Sequence, residues 1–341
     1  MKNPKKARRR GKGILIAIII VLTLILVVLA WINHQLDKRV KFDLDKEALT
    51  QEQNDFTDDN IEGYWNIAIF GVDSRTNDLV KNTRSDSIII ASIDKKTKDV
   101  RLVSVYRDTF ADIKGVGYRK INAAYANGGP QLAVSTLNRM LDLDITDFVT
   151  VNFASVTNLV NLIDGVEIKI EEDELAALNK NIKDGNKLNN TNSPLIKKAG
   201  TYTLDGTQAL AYSRIRKTSG SDFRRTQRQR TVIMAVLSKA KSSSLMTLNK
   251  IIDTMLPQVA TNLSTTDILS LVKDVFSYEI LQDSGFPFEK KGATVDGASV
   301  ILADTLEQNV IDLHKMLFAS EAYTPSSTVK EISAKIKNYQ K

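Results

Sequence analysis

The spacing of apolar residues divides the chain into one uninterrupted hydrophobic segment and a long body of shorter, periodic ones. Residues 13–32, GILIAIIIVLTLILVVLAWI, carry no charge. Twenty helical residues span roughly 30 Å, the depth of a bilayer's hydrocarbon core. This segment therefore reads as a transmembrane helix, with Trp31 at its interfacial end. Residues 33–62 are polar and mostly acidic, a stalk. Beyond them, 65–72 (WNIAIFGV), 87–93 (SIIIASI) and 100–105 (VRLVSV) are apolar runs of strand length, the last two a hairpin. Residues 147–152 and 166–170 alternate as strands. Residues 129–141, 153–163, 231–239, 245–259, 267–276 and 306–318 repeat their apolar positions at helical spacing. The Asn-, Lys- and Gly-rich stretch 179–198 reads as a long loop, and residues from about 324 as a polar tail. Strands and helices intermix, so 63–320 is expected to be one α/β domain, between the stalk and a tail over 321–341.

Charge changes this picture only once it is located. The chain has 47 basic and 40 acidic residues, but residues 1–12 hold seven of the bases and no acid. Without them the body is 40 against 40, which argues against a generally basic nucleic-acid binder. The basic cluster before the apolar segment predicts a cytoplasmic N-terminus, with everything after residue 33 outside the cell membrane.

Chemistry is bounded by what the chain lacks. There is no cysteine, and the two histidines are His34, beside the apolar segment, and His314. A Cys–His pair is impossible, and a Ser–His–Asp triad needs His314. Neither a zinc-binding HExxH nor a phosphate-binding Walker loop occurs. What remains is carboxylates, guanidiniums and a hard metal. Asp73, Asp86 and Asp108 each sit beside a strand, with Arg75, Arg84 and Arg107 within two residues. Oxygen ligands of this kind suit Mg²⁺. Residues 212–230, YSRIRKTSGSDFRRTQRQR, concentrate cations where a helix begins. A helix N-terminus disfavours cations unless an anion sits among them, and free N–H groups with guanidinium forks suit a phosphate or pyrophosphate. Ser219, Ser221 and Asp222 are suitable caps, and Arg225 and Arg228 share a face.

In order along the chain, GVDSR, TRSDSIIIAS, VSVYRDT, KINAAYANGG, LDGTQALAYSRIR and SDFRRTQRQ resemble the LytR-CpsA-Psr family over about residues 63–320. The resemblance implies a membrane-anchored α/β enzyme, α-β-α-like, whose mixed central sheet is flanked by helices. It implies transfer of a glycopolymer (teichoic acid, capsule or another wall polysaccharide) from an undecaprenyl-pyrophosphate carrier to a peptidoglycan hydroxyl, with Mg²⁺ beside the pyrophosphate. Carried over residue by residue, Asp73 and Asp86 are the metal-side carboxylates. Arg75, Arg107, Arg214, Arg216, Arg225, Arg228 and Gln229 are the pyrophosphate contacts, and Asp86, Asp108, Arg84 and Arg107 the catalytic group. Asp86 and Asp108 both stand as candidate bases. Arg224 departs from the family pattern, which often has Gly there, as does LIDGV at 162–166, where a Gly pair is common. A polyprenyl-pyrophosphate hydrolase and a non-enzymatic wall-polymer-binding regulator remain as alternatives.

Overall fold

The computed structural model describes residues 39–51, 54–56, 58–72, 79–80, 83–216 and 221–339. The basic tail, the apolar segment 13–32, and both Asp73 and Arg75 lie outside the described residues. Among the described residues no helix is long and apolar enough to cross a membrane.

In chain order the elements are β1 (Val40–Lys41), α1 (Lys46–Gln51), β2 (Tyr64–Val72), β3 (Ser85–Asp94), β4 (Asp99–Val105), β5 (Phe110–Ile113) and β6 (Gly117–Lys120). Next come α2 (Asn122–Leu141), β7 (Asp147–Asn152), α3 (Phe153–Leu162), β8 (Val166–Ile170), α4 (Leu175–Asn189), β9 (Gly200–Leu204) and α5 (Gly206–Ser213). The chain ends with α6 (Ser221–Lys241), α7 (Leu245–Met255), β10 (Val259–Thr261), α8 (Thr265–Lys273), β11 (Glu279–Phe286), β12 (Lys290–Val295), β13 (Ala298–Ala303), α9 (Leu306–Phe318) and α10 (Ser327–Asn338).

Seven strands form the central sheet in the order β1-β10-β7-β2-β3-β4-β11. β2, β3 and β4 are an antiparallel meander, while β7 joins β2 and β11 joins β4 in parallel. The sheet is therefore mixed, and helices cover both of its faces. Side chains alternate along a strand, so Ala68, Phe70, Ile88, Ile90 and Val103 meet the core built with α2, α9 and α10. Ile67, Ile89, Ile93 and Leu102 make the other face, under Ile233 and Met234 of α6 and Leu271 of α8. Burial on both faces explains why these strands read as continuous apolar runs. A smaller core joins the β8–β9 hairpin to α3, α4 and α5, and Val232 and Val236 of α6 enter it. Helix α6 is thus the wall between the two cores.

Several polar stretches fold where composition alone predicts loop or stalk. Within 33–62, β1 adds to the sheet edge and Leu44, Leu49 and Ile61 are buried, so the body begins before residue 63. The stretch 179–198 is mostly α4. On that helix Leu178 and Ile182, at i and i+4, are buried. Asn179 and Asn186 fasten the following segment through its backbone at Ile196 and Ser193. The tail is helix α10, with Val329, Ile332 and Ile336 buried at helical spacing on an otherwise charged surface. The region around Gly115 and Gly117 is a tight β5–β6 hairpin rather than a loop, with both glycines at positive φ. Helix α2 begins seven residues before the expected 129, and breaks at Gly128–Gly129 ahead of Pro130. A Cβ on Gly129 would meet the Val80 carbonyl at 2.8 Å.

His314 is fully buried. Its Nδ1 lies 2.6 Å from Asp58 Oδ2 and its Nε2 2.9 Å from the Leu141 carbonyl oxygen. A carboxylate and a carbonyl are both acceptors, so the pair is satisfied when both ring nitrogens carry hydrogen. The Ser320 hydroxyl donates to the carboxylate of Asp58 rather than to the ring. No triad forms, and the histidine ties the segment before β2 to α9. If α10 belongs to the core, Ile332→Ala will lower unfolding free energy by about 2–5 kcal/mol in denaturant titration. A change below about 0.5 kcal/mol, the size of a surface effect, would exclude it.

Candidate functional site

The site lies at one end of the meander, where β3 begins and β4 ends. Ser85 and Asp86 open β3, and the turn Tyr106–Thr109 leaves β4. That turn is pinned by backbone bonds to separate elements. Tyr106 N–H donates to Phe286 at the end of β11 (3.0 Å), Ile301 N–H of β13 donates to the Asp108 carbonyl (2.9 Å), and Asn122 N–H of α2 donates to the Arg107 carbonyl (3.2 Å). Gly285 lets Tyr106 pack against β11: a Cβ there would fall 2.2 Å from the phenol oxygen. On its other side the Tyr106 ring meets Phe223 of α6 edge-on, and Lys290 Nζ lies 5.2 Å and 5.0 Å from the two ring centroids.

Asp86 is the centre. Its Oδ1 accepts from Arg107 Nη1 at 2.7 Å and its Oδ2 from Arg225 Nη2 at 3.1 Å. These guanidiniums come from β4's end and from α6, 118 residues apart in sequence. Asp108 lines the same crevice, its Oδ2 3.8 Å from Arg107 Nε and its Oδ1 bonded to Lys120 Nζ at 3.0 Å. Burial pushes the Asp86 carboxyl upward, but the Arg225 charge and the Arg107 hydrogen bond outweigh it and hold it below the ordinary carboxylate value. Burial pulls Arg225 down. Asp86 opposes that, while the like charges of Arg107 and Arg216 add to it. Two buried donors on this helix face, Arg225 Nε and Gln229 Nε2, have no acceptor among the described residues. A buried donor without a partner costs about 1–3 kcal/mol, so an anion entering here gains what the protein leaves unmade.

The other arginines of the expected set are placed differently. Arg228 is buried and donates from Nε to Glu174 Oε1 at 2.6 Å and from Nη1 to the Ile215 carbonyl at 3.2 Å. It belongs to the junction with the smaller core and does not line the crevice. Arg224 pairs with Asp173, and Arg230 with Asp283. Arg214 and Arg216 are exposed, and Arg216 acts on Arg225 through its charge. Arg84 is exposed in a neighbouring cleft. Asp73 and Arg75 lie outside the described residues, as does the side chain of Asp222. Sequence reasoning missed Glu174 and Asp283, because a carboxylate that pairs across tens of residues leaves no local signal.

For a metal, the test falls on Asp86. It is an ionised oxygen donor, and each oxygen keeps a lone pair beyond the one given to a guanidinium, so it fits a hard cation. No group of three or more candidate ligands occurs among the described residues.

The clamp has a pH signature. The folded Asp86 carboxyl sits below its unfolded value, so its stabilisation is complete above about pH 4 and fades as pH falls through the folded value. At pH 7 Asp86→Asn strands a buried guanidinium, a loss on the order of 3 kcal/mol. Urea titrations from pH 7 to pH 3 should show the gap between wild type and variant narrowing as acid is added. A constant gap would mean that the charge of Asp86 does not hold the arginines.

Comparison with known proteins places the chain among relatives of the same fold. A teichoic acid transferase of Bacillus subtilis, the polyisoprenyl-teichoic acid–peptidoglycan transferase TagT, is 34% identical over 234 residues, 67% of this chain and 70% of that protein. A solved structure of TagT bound to LIIa-WTA superimposes with a TM-score of 0.62 at 28% identity, covering 81% of this chain and 97% of that one. Another, with bound octaprenyl pyrophosphate lipid, gives 0.58 at 25% identity, covering 81% and 99%. The model described as the LytR_cpsA_psr family matches residues 31–315. With that match across most of its length and this crevice at the heart of its fold, the chain belongs to the LytR-CpsA-Psr family.

Proposed function

We propose that this protein transfers a glycopolymer from an undecaprenyl-pyrophosphate carrier to a hydroxyl of peptidoglycan. The observation that carries the reading is the convergence of Arg107 and Arg225 on the two oxygens of Asp86 inside one crevice. The two cations are already gathered, Arg225 buried and Arg107 half-buried, each within hydrogen-bond distance of one anion. A pyrophosphate entering between them takes over hydrogen bonds that Asp86 now holds, and Arg216 lends its charge from the rim. Gln229 Nε2 offers a further donor. Arg228 braces α6 through Glu174 rather than touching phosphate.

The chemistry follows from these positions. An acceptor hydroxyl attacks the polymer-side phosphorus and a new P–O bond forms. The bridging P–O bond breaks, and undecaprenyl phosphate leaves with its electron pair. Guanidiniums fixed in a site of restricted water stabilise charge on the transferring oxygens. The proton goes to Asp108. Both oxygens of Asp86 are held by guanidiniums, and its lowered pKa makes it a weak base. Asp108 Oδ2, by contrast, lies 3.8 Å from Arg107 Nε, too far for a hydrogen bond. Mg²⁺, held by Asp86 with Asp73, would neutralise part of the pyrophosphate charge.

The apolar segment 13–32 holds the site at the membrane. Only seven residues, 33–39, separate it from β1. Fully extended they reach about 25 Å, so β1, at the sheet edge, stays within that distance of the bilayer surface.

The test is transfer from octaprenyl-pyrophosphate-linked polymer to peptidoglycan by the detergent-solubilised full chain. Arg107→Ala and Arg225→Ala should each lower the rate on the order of a hundredfold or more. Wild-type transfer by either variant would overturn the assignment, and equal turnover without peptidoglycan would show a hydrolase. Chelation of divalent cations should lower the rate, and added Mg²⁺ should restore it. A rate unmoved by chelation removes the metal from the scheme.

A further inference from the structure

A second cavity adjoins the crevice. It lies between the β5–β6 hairpin and the tip of the β12–β13 hairpin, is open to solvent, and has a volume of ≈ 510 Å³, within the range of ligand sites. Its lining includes Arg84, Arg119 and Lys120, the rings of Phe110 and Tyr118, and one carboxylate, Asp296. Arg84 and Arg119 are exposed and make no ion pair among the described residues. The Tyr118 hydroxyl, shielded from solvent, likewise has no hydrogen-bond partner among them. Lys120 is the partition: it lines this cavity while bonding Asp108, which lines the crevice.

We infer that this cleft is the acceptor subsite, and that it takes a sugar chain bearing carboxylates, as peptidoglycan does on the peptides attached to its sugars. The inference rests on the transfer reading above and adds the place from which the nucleophile arrives. Two unpaired guanidiniums call for anions, since each can hold a carboxylate by a bidentate, charge-assisted bond. Aromatic rings offer flat apolar faces against which the C–H faces of a sugar pack, and Asp296 accepts from sugar hydroxyls. The open shape admits a polymer that continues past the site on both sides. Position chooses between the two sugar chains of the reaction. A hydroxyl entering from this cleft reaches the phosphorus past Lys120 and meets Asp108, the group that takes its proton. The carrier's pyrophosphate occupies the far side of Asp108, between Arg107 and Arg225.

The decisive variant is Arg119→Glu. The residue is exposed and unpaired among the described residues, so charge reversal should leave the thermal unfolding transition in place. Binding of soluble, uncrosslinked peptidoglycan chains to the detergent-solubilised full chain is measured by calorimetry, beside binding of octaprenyl pyrophosphate and of lipid-free teichoic acid. Peptidoglycan affinity should fall at least about tenfold in Arg119→Glu, the scale of one charge-assisted bond. Arg119→Lys should recover most of it, and affinity for octaprenyl pyrophosphate should be kept. Unchanged peptidoglycan affinity overturns the inference. So does a loss confined to teichoic acid, which would assign the cleft to the donor polymer. Wild-type protein that binds no octaprenyl pyrophosphate would instead sink the transfer reading, so the two failures are told apart.

Discussion

One carboxylate keeps this site together. Arg107 and Arg225 are like charges pressed into a crevice where water screens them poorly, and Arg216 adds a third positive charge nearby. Without an anion between them, their repulsion and the lost hydration of Arg225 would push the two guanidiniums apart. Asp86 supplies that anion from a strand buried in the sheet's centre, where its backbone has no freedom to retreat. The cost is that the two guanidiniums are already partly neutralised. A pyrophosphate must displace one set of charge-assisted bonds to make another, so its advantage comes from its greater charge and from the donors, Arg225 Nε and Gln229 Nε2, that Asp86 cannot reach.

The clamp in turn depends on how the turn after β4 is held. Arg107 and Asp108 lie in a loop, yet their backbone is fixed by β11, β13 and the start of α2. β11 and β13 come from far along the chain, so the geometry of two catalytic candidates is set in part by strands that contribute no side-chain charge to the crevice. Such support is what holds a site within the tolerances that phosphoryl transfer requires.

This also explains what could be read from the sequence and what could not. The meander β2–β4, strands β7 and β8 and helix α9 were legible because their apolar residues are buried in unbroken runs or at strict periods. Strands β11 and β12 were not, since most of their side chains are exposed and polar, and their place comes from pairing alone. Helices α4 and α10 hid because two or three buried residues suffice to dock a helix whose other faces are charged. At the site, Asp86 was named as a metal-side carboxylate, Asp108 as a candidate base, and Arg107 and Arg225 as pyrophosphate contacts, and the structure brings these four together. The partition of the remaining arginines was not anticipated, because their carboxylate partners sit 50 or more residues away in sequence.

Helical phase accounts for that partition. The stretch from Arg224 to Arg230 looks like a single basic patch, but successive residues turn by about 100°. Arg224 and Arg225 therefore diverge, and the first pairs with Asp173 at the rim of the smaller core while the second enters the crevice. Arg228 returns to within about 60° of Arg225 one turn on, deep enough to be buried but over the smaller core, where Glu174 meets it. Arg230 points about 140° from Arg225, towards β11 and Asp283. A run of cations that would repel one another in an isolated helix is thus dispersed among four carboxylates on three elements, Asp173 and Glu174 in one turn, Asp86 in β3 and Asp283 in β11. Three of these bonds fasten α6 between the two cores. The fourth is the only one that opens onto the crevice, and holding the helix by the other three is what leaves Arg225 aimed there.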